Sequence, residues 1–201
     1  MSSKTVKNCI ALAIAALVVL SAGSVFAGDA FKIDPTHPTF GFAVSHVKVG
    51  VTRGEFTDYK GEIQFDRENP DAFKAWVIIN ANSVDSRLEA RDNHLKSDHF
   101  FDVANYPTIV LRAKKITHIK NNRYELVGEI TMRGVTKEIT APVTIKGPVK
   151  SPFGGEVVGM SGRVNIDRKD FGISWNDKMP DGGWVVGDSV MINVDIEAHR
   201  K

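Results

Sequence analysis

The chain has 201 residues, 25% charged and 42% hydrophobic, with 17 Gly, 8 Pro, one Cys and a net charge of +2. That length suits one globular domain with a short appendage. The composition excludes collagen-like, disordered and disulfide-stapled chains. The charge is too small for a binder that works by neutralising nucleic-acid phosphates, so no nucleic-acid partner is expected.

Lys4 and Lys7 precede an apolar run from Cys9 to Leu20, and small residues follow as far as Ala27. A basic start, a short apolar core and small residues at −3 and −1 (Val25, Ala27) read as a cleaved secretory signal over 1–27. The apolar run is too short for a membrane span of about 20 residues. Removing 1–27 takes away Lys4, Lys7 and Cys9, leaving 24 basic against 24 acidic residues. The domain at 28–201 is therefore expected to be neutral, exported and free of disulfides, held together by its core alone.

Along that domain the dominant pattern is alternation with period 2, which marks strands with one apolar face. Phe40, Phe42 and Val44 share a face, and Ile63 with Phe65 follow the same rule. Segments 73–81 and 107–118 are strand-like. The faces Tyr124–Met132 on even positions, Val135–Ile145 on odd positions, Val158–Ile166 and Val190–Ala198 complete the series. Turn residues separate the runs at Lys120–Arg123, Arg133–Gly134, Gly147–Pro148 and Pro152–Gly155, and such short connections favour antiparallel meanders. Ser83–Asp98 breaks the pattern, with Leu88, Arg91, His94 and Leu95 at helical spacing. It reads as one short lateral helix capped by Asp85 or Ser86, with Glu89 placed for a capping box.

About eight antiparallel strands and one helix make an all-β barrel or sandwich, and closure removes exposed edges. An eight-stranded barrel can hold one small ligand. Gly128 and Gly162 fall on the apolar faces, where they either leave room inside or mark bulges.

The chemical motifs of hydrolases are absent: no G-x-S-x-G occurs, and no Cys remains after processing. Glu89, Asp92, His94, Asp98 and His99 crowd one stretch without metal-ligand spacing, so a solvated polar face is expected and no metal or catalytic residue is assigned. Two polar residues extend apolar faces: His46 beyond Val44, and Arg168 beyond Ile166. An inward Arg needs an anion or a partner. Asp170, Asp92 and Asp102 are the candidate partners; a ligand head group is the other reading.

The segment RDNHLKSDHFFDVANYP at Arg91–Pro107, preceded by Ser83-Val84-Asp85, resembles the signature of the YceI-like family. Further matching pieces run nearly end to end: Thr36-His37 with Phe40 and Phe42, Arg53-Gly54-x-Phe56, Gly61-x-Ile63-x-Phe65-Asp66, Gly128 to Lys137, and Asp167-Arg-Lys-Asp-Phe-Gly172. The resemblance implies an eight-stranded antiparallel lipocalin-like barrel around a long apolar tunnel. It implies a periplasmic or secreted binding protein, not an enzyme, that holds a polyisoprenoid lipid such as an isoprenoid quinone or a prenyl pyrophosphate. The family's polar signature maps onto Arg91, Asp92, His94, Asp167, Arg168 and Asp170, bracing helix to barrel mouth. The loop carrying Trp175 and Trp184 is the expected lid.

Together these readings place Phe40, Phe42, Val44, Ile130, Met132, Ile145, Met160, Val164, Ile192 and Val194 on the tunnel, with His46, Arg91 and Arg168 at its polar end. The expected partner is a long-chain isoprenoid lipid, bound in the tunnel without a separate cofactor and exchanged through transient membrane contact. Monomer and dimer are both compatible with the sequence. The competing class is an enzyme acting on a lipid-like or carbohydrate substrate through Arg91–His99.

Overall fold

A computed structural model describes residues 30–36 and 39–200. The expected signal at 1–27 lies outside the described residues.

Eleven strand segments, β1 (Ala30–Ile33), β2 (Thr39–His46), β3 (Gly50–Phe56), β4 (Tyr59–Gln64), β5 (Lys74–Asn80), β6 (Val84–Asp85), β7 (Thr108–Lys120), β8 (Arg123–Met132), β9 (Val135–Lys150), β10 (Glu156–Asp167) and β11 (Val186–Arg200), form one antiparallel sheet. The segments make eight staves. β1 and β2 lie in line, both paired to β11, and β4 and β3 lie in line beside them. β5 and β6 form the next stave, interrupted at Ala81–Ser83, and β7 to β11 are continuous hairpins that return to β1. The barrel is therefore closed, with eight antiparallel staves and one α-helix, α1 (Glu89–Lys96).

The turns follow from residue chemistry. Arg133 (φ 49°) and Gly134 (φ 72°) make the two-residue link between Met132 and Val135, the positive-φ pair that matches strand twist in a tight hairpin. The β7–β8 turn places Asn121 at φ 56°, a conformation Asn tolerates better than most residues. The three interrupted staves break at a common level and are tied there by loop bonds. Asn80 N donates to Asp58 O at 2.9 Å, Thr57 N to Ser83 O at 3.2 Å, and the Tyr59 hydroxyl to Pro35 O at 3.3 Å.

One end of the barrel is solid. Phe31, Ile63, Phe65, Ile116, Tyr124, Ile145, Val158 and Ala198 are all buried there. Phe65 meets Tyr124 edge-on at 5.9 Å and Phe73 at 6.3 Å, arrangements aromatic rings favour.

The helix is shorter than the sequence pattern suggests. Its N-cap is Leu88, without a side-chain cap, because Val84 and Asp85 belong to the wall, paired with Phe56 and Glu55. Ser86 turns inward, and its N–H and hydroxyl both donate to the Asp92 carboxylate; the N–H bond is 2.8 Å. Asp85 instead accepts the Arg87 N–H at 2.7 Å. Helical periodicity ran past the point where strand pairing takes over.

Candidate functional site

Above the packed floor the barrel is hollow. Two neighbouring compartments of ≈ 90 Å³ and ≈ 100 Å³ share Phe40, Leu111, Ile130, Ile192 and Val194 in their walls. Alternation explains the lining, since residues two apart on each strand face the same interior. The lower compartment adds Met160, Val164, Leu126, Ile139 and Val143, with Gly128 and Gly162 in its wall. The upper one adds Phe42, Val44, Met132, Phe56, Ile166 and Val190. From Met160 to Ile166 the wall runs six residues, or ~20 Å of strand at ~3.3 Å per residue. The usual barrel tilt makes that ~15 Å along the axis.

Both readings of the glycines apply. A Cβ on Gly128 would lie 2.6 Å from Arg112 O, and the neighbouring β7–β8 register shifts between Ala113 and Lys115. A Cβ on Gly162 would lie 2.9 Å from Val143 Cγ1. The strands approach closely there, and the missing side chains leave the lower compartment open.

Of the ten residues expected on a tunnel, Phe40, Phe42, Val44, Ile130, Met132, Met160, Val164, Ile192 and Val194 border these two compartments. Ile145 faces the interior but lies in the packed floor with no exposure. His46 is exposed and off the lining, because β2 ends there and its register with β11 shifts between Val186 and Val190. Strand alternation cannot be extended past the end of its register.

Arg91 is also away from the cavity. Its Nε donates to Ser86 Oγ at 2.7 Å and its Nη2 to Ser86 O at 2.6 Å, so it fixes the approach to α1. Arg168 does line the upper compartment and is 3% exposed. Its acidic partner is Asp188 (3.3 Å), not Asp170, Asp92 or Asp102. Nε donates to Gly187 O at 2.9 Å, and Nη1 to both Ile173 O and Trp175 O at 2.8 Å. One guanidinium thus clamps the bulge at the start of β11 to the loop after β10. Burial pulls its pKa below the ordinary arginine value, while Asp188 and Asp167 act in the opposite direction.

The roof was only partly legible in the sequence. Leu95 of α1, with Phe100, Phe101 and Ile173, covers the upper compartment. Phe101 packs against Phe56 at 5.3 Å and Phe42 at 6.2 Å. Arg133 Nη1, from the β8–β9 turn, donates to Asp98 O at 2.7 Å and Phe100 O at 2.5 Å. Of the two loop tryptophans, Trp175 joins the roof against His94 and Phe100. Trp184 is 51% exposed on the rim.

Outside the barrel, Asp34, Glu197 and His199 bring their ligand atoms within 4.8 Å of one another. His199 Nε2 lies 3.0 Å from Glu197 Oε1 and 3.4 Å from Asp34 Oδ2, so the imidazole already bridges the carboxylates across the β1–β11 seam. The crowded stretch Glu89–His99 forms no such cluster among the described residues.

A profile of the YceI-like domain matches residues 31–198. The chain belongs to the YceI-like family. A UPF0312 protein of Yersinia pestis (strain Pestoides F) is 36% identical over 172 residues, spanning 84% of this chain and 87% of the relative. Among solved structures, the Campylobacter jejuni YCEI protein superposes with a TM-score of 0.66 at 30% identity, over 78% of this chain and 90% of that one. Burkholderia cenocepacia BcnA reaches a TM-score of 0.72 at 21% identity, covering 83% and 99%. A polyisoprenoid binding domain from Saccharophagus degradans, implicated in plant cell wall breakdown, gives 0.67 at 14% identity, covering 86% and 99%. These last two likenesses are likenesses of fold. No described helix is long and apolar enough to cross a membrane.

Proposed function

We propose that this YceI-like chain is a binding protein that sequesters or carries a long-chain isoprenoid lipid, or a similar amphiphile, in the barrel tunnel. The supporting observation is the hollow itself: a closed barrel solid at one end, with two neighbouring compartments whose wall spans ~15 Å of its axis and is built of Phe, Ile, Val, Leu and Met. Close-packed interiors leave few voids larger than a water molecule. Each methylene of a tail placed there contributes about 0.8 kcal/mol, and ordering the tail offsets part of that gain. The polyisoprenoid binding named for the Saccharophagus degradans domain of the same fold points to the same ligand class.

Within the Arg91–His99 stretch it is Leu95 that reaches the tunnel, while Arg91 bonds to Ser86 and His94 to His99. That arrangement supports binding over catalysis. Residues 1–27 would act as an export signal and place the carrier in the periplasm. Lipid exchange would bring the mouth against a membrane, where Val49 (91% exposed) and Trp184 project from adjoining rim loops.

Native mass spectrometry and organic extraction of protein purified without detergent test the reading. A co-purifying isoprenoid-tailed species is the expected result. Protein that emerges consistently empty and takes up no added isoprenoid lipid overturns it. Turnover lost on replacing His94 or His99, with lipid content unchanged, would favour an enzyme instead.

A further inference from the structure

The cations in the cavity wall are unevenly placed. Among the described lining residues they are Arg112, Arg163 and Arg168. Arg112 lies between the lining residues Leu111 and Ala113, and Arg163 between Gly162 and Val164. Both have the outward parity of their strands and are exposed. Glu129 borders the same compartment, and Lys114 holds it from outside at 2.8 Å.

Arg168 is thus the buried cation of the cavity, and most of its capacity is engaged. Four of its N–H groups go to Gly187 O, Ile173 O, Trp175 O and the Asp188 carboxylate. A guanidinium has five such groups, so one N–H remains, on Nη2 beside Asp188. Asp188 is shared with Lys169 at 2.7 Å, and Asp167 also acts on Arg168, so two carboxylates balance the two cations. The neighbouring lining of the compartment is apolar: Ile166, Ile173, Val186, Phe100 and Leu95.

An enclosed phosphate requires a countercharge and several donors to replace its water, or it stays outside. This end of the cavity offers a neutralised guanidinium and one N–H. An uncharged oxygen requires no more than that. Resting on the tunnel reading above, we infer that the cavity selects lipids whose head group is uncharged and oxygen-bearing, such as an alcohol, ester or quinone, over phosphorylated forms with the same tail. Arg168 takes part as a saturated brace with one donor left, and Asp188 keeps anionic head groups out by occupying the charge they would need.

The test compares geranylgeraniol with geranylgeranyl diphosphate, identical in tail, on delipidated protein by competition native mass spectrometry. The alcohol is expected to bind at least about 100-fold more tightly, the scale set by an uncompensated buried charge. Equal or tighter binding of the diphosphate overturns the head-group selection and leaves the tunnel reading standing. No binding of either probe overturns the tunnel reading, and the selection with it. Asp188→Asn, checked for folding by circular dichroism, should narrow the ratio about tenfold by freeing part of the guanidinium. An unchanged ratio in that folded variant would overturn the role given to Asp188. Should the variant fail to fold, the wild-type comparison still decides.

Discussion

His94 Nε2 lies 3.0 Å from His99 Nδ1, and the Trp175 indole packs against both rings. It stands edge-on to His94 at 4.6 Å and stacks on His99 at 5.9 Å. Three separate pieces of chain meet there: helix α1, the segment that carries Phe100, and the loop that Arg168 clamps. His94→Ala removes the hydrogen bond and the ring contacts with Trp175, His99 and Phe100, at an expected cost of about 1–2 kcal/mol. Limited proteolysis should then cut first within residues 97–106, with the barrel's far-ultraviolet dichroism retained. Wild-type cleavage kinetics in that segment would show that the cluster does not hold the roof.

Ile192 lines both compartments from β11. Ile192→Trp should fill the junction, with an overpacking cost of about 1–3 kcal/mol. Uptake of geranylgeraniol is expected to fall at least about tenfold, in line with loss of tail burial. Undiminished uptake by a folded variant would place the lipid elsewhere.

Arg168→Met would leave the carbonyls of Ile173, Trp175 and Gly187 without their donor. Removing one member of a buried polar network costs about 3–5 kcal/mol. For a domain of this size that corresponds to a Tm lowered by about 6–20 °C. Arg168→Lys should not restore it, since a single ammonium lacks the planar fork that reaches three carbonyls and a carboxylate. Calorimetry of the two variants measures both.

The β2–β3 tip and the loop carrying Trp184 are joined: Lys48 Nζ donates to Gly182 O at 2.6 Å, and Val47 N to Val185 O at 2.8 Å. Val47 is held there at φ 45°, an unusual conformation for a β-branched residue. Val49→Ser with Trp184→Ser is expected to reduce co-sedimentation with phosphatidylcholine vesicles several-fold, as suits loss of an interfacial tryptophan. Phe153→Ser, which alters a side chain 96% exposed at the other end of the barrel, should not. Equal loss in both would show non-specific adhesion.

Alternation alone identified most of the inward faces, because strand parity is local and each apolar face runs for several residues. Parity separates inside from outside but says nothing of height. Ile145 and Val143 share a face, yet only Val143 borders the cavity; Ile145 has no exposure and belongs to the packed core with Phe31, Phe65 and Tyr124. His46 failed for a related reason, at the place where pairing slips. The inward position of Arg168 was legible, but its partner was not, since Asp188 stands in a bulge whose register only the folded sheet defines. The Asp34–Glu197–His199 group was equally hidden, being assembled across two strands from opposite ends of the domain.

The interrupted staves make the barrel mechanically unequal around its circumference. β7 to β11 are long unbroken hairpins, whereas the three staves formed by β1 to β6 are each jointed at one level and stitched by bonds between loops. One side is a stiff half-shell and the other a set of short levers. Expansion around a bulky guest, or relaxation after its departure, would concentrate in the levers, near Asp58, Asn80 and Ser83. Amide hydrogens at those joints should exchange ahead of the hairpin ladders. Compliance is thus placed on one flank, opposite the wall that keeps the tunnel's shape.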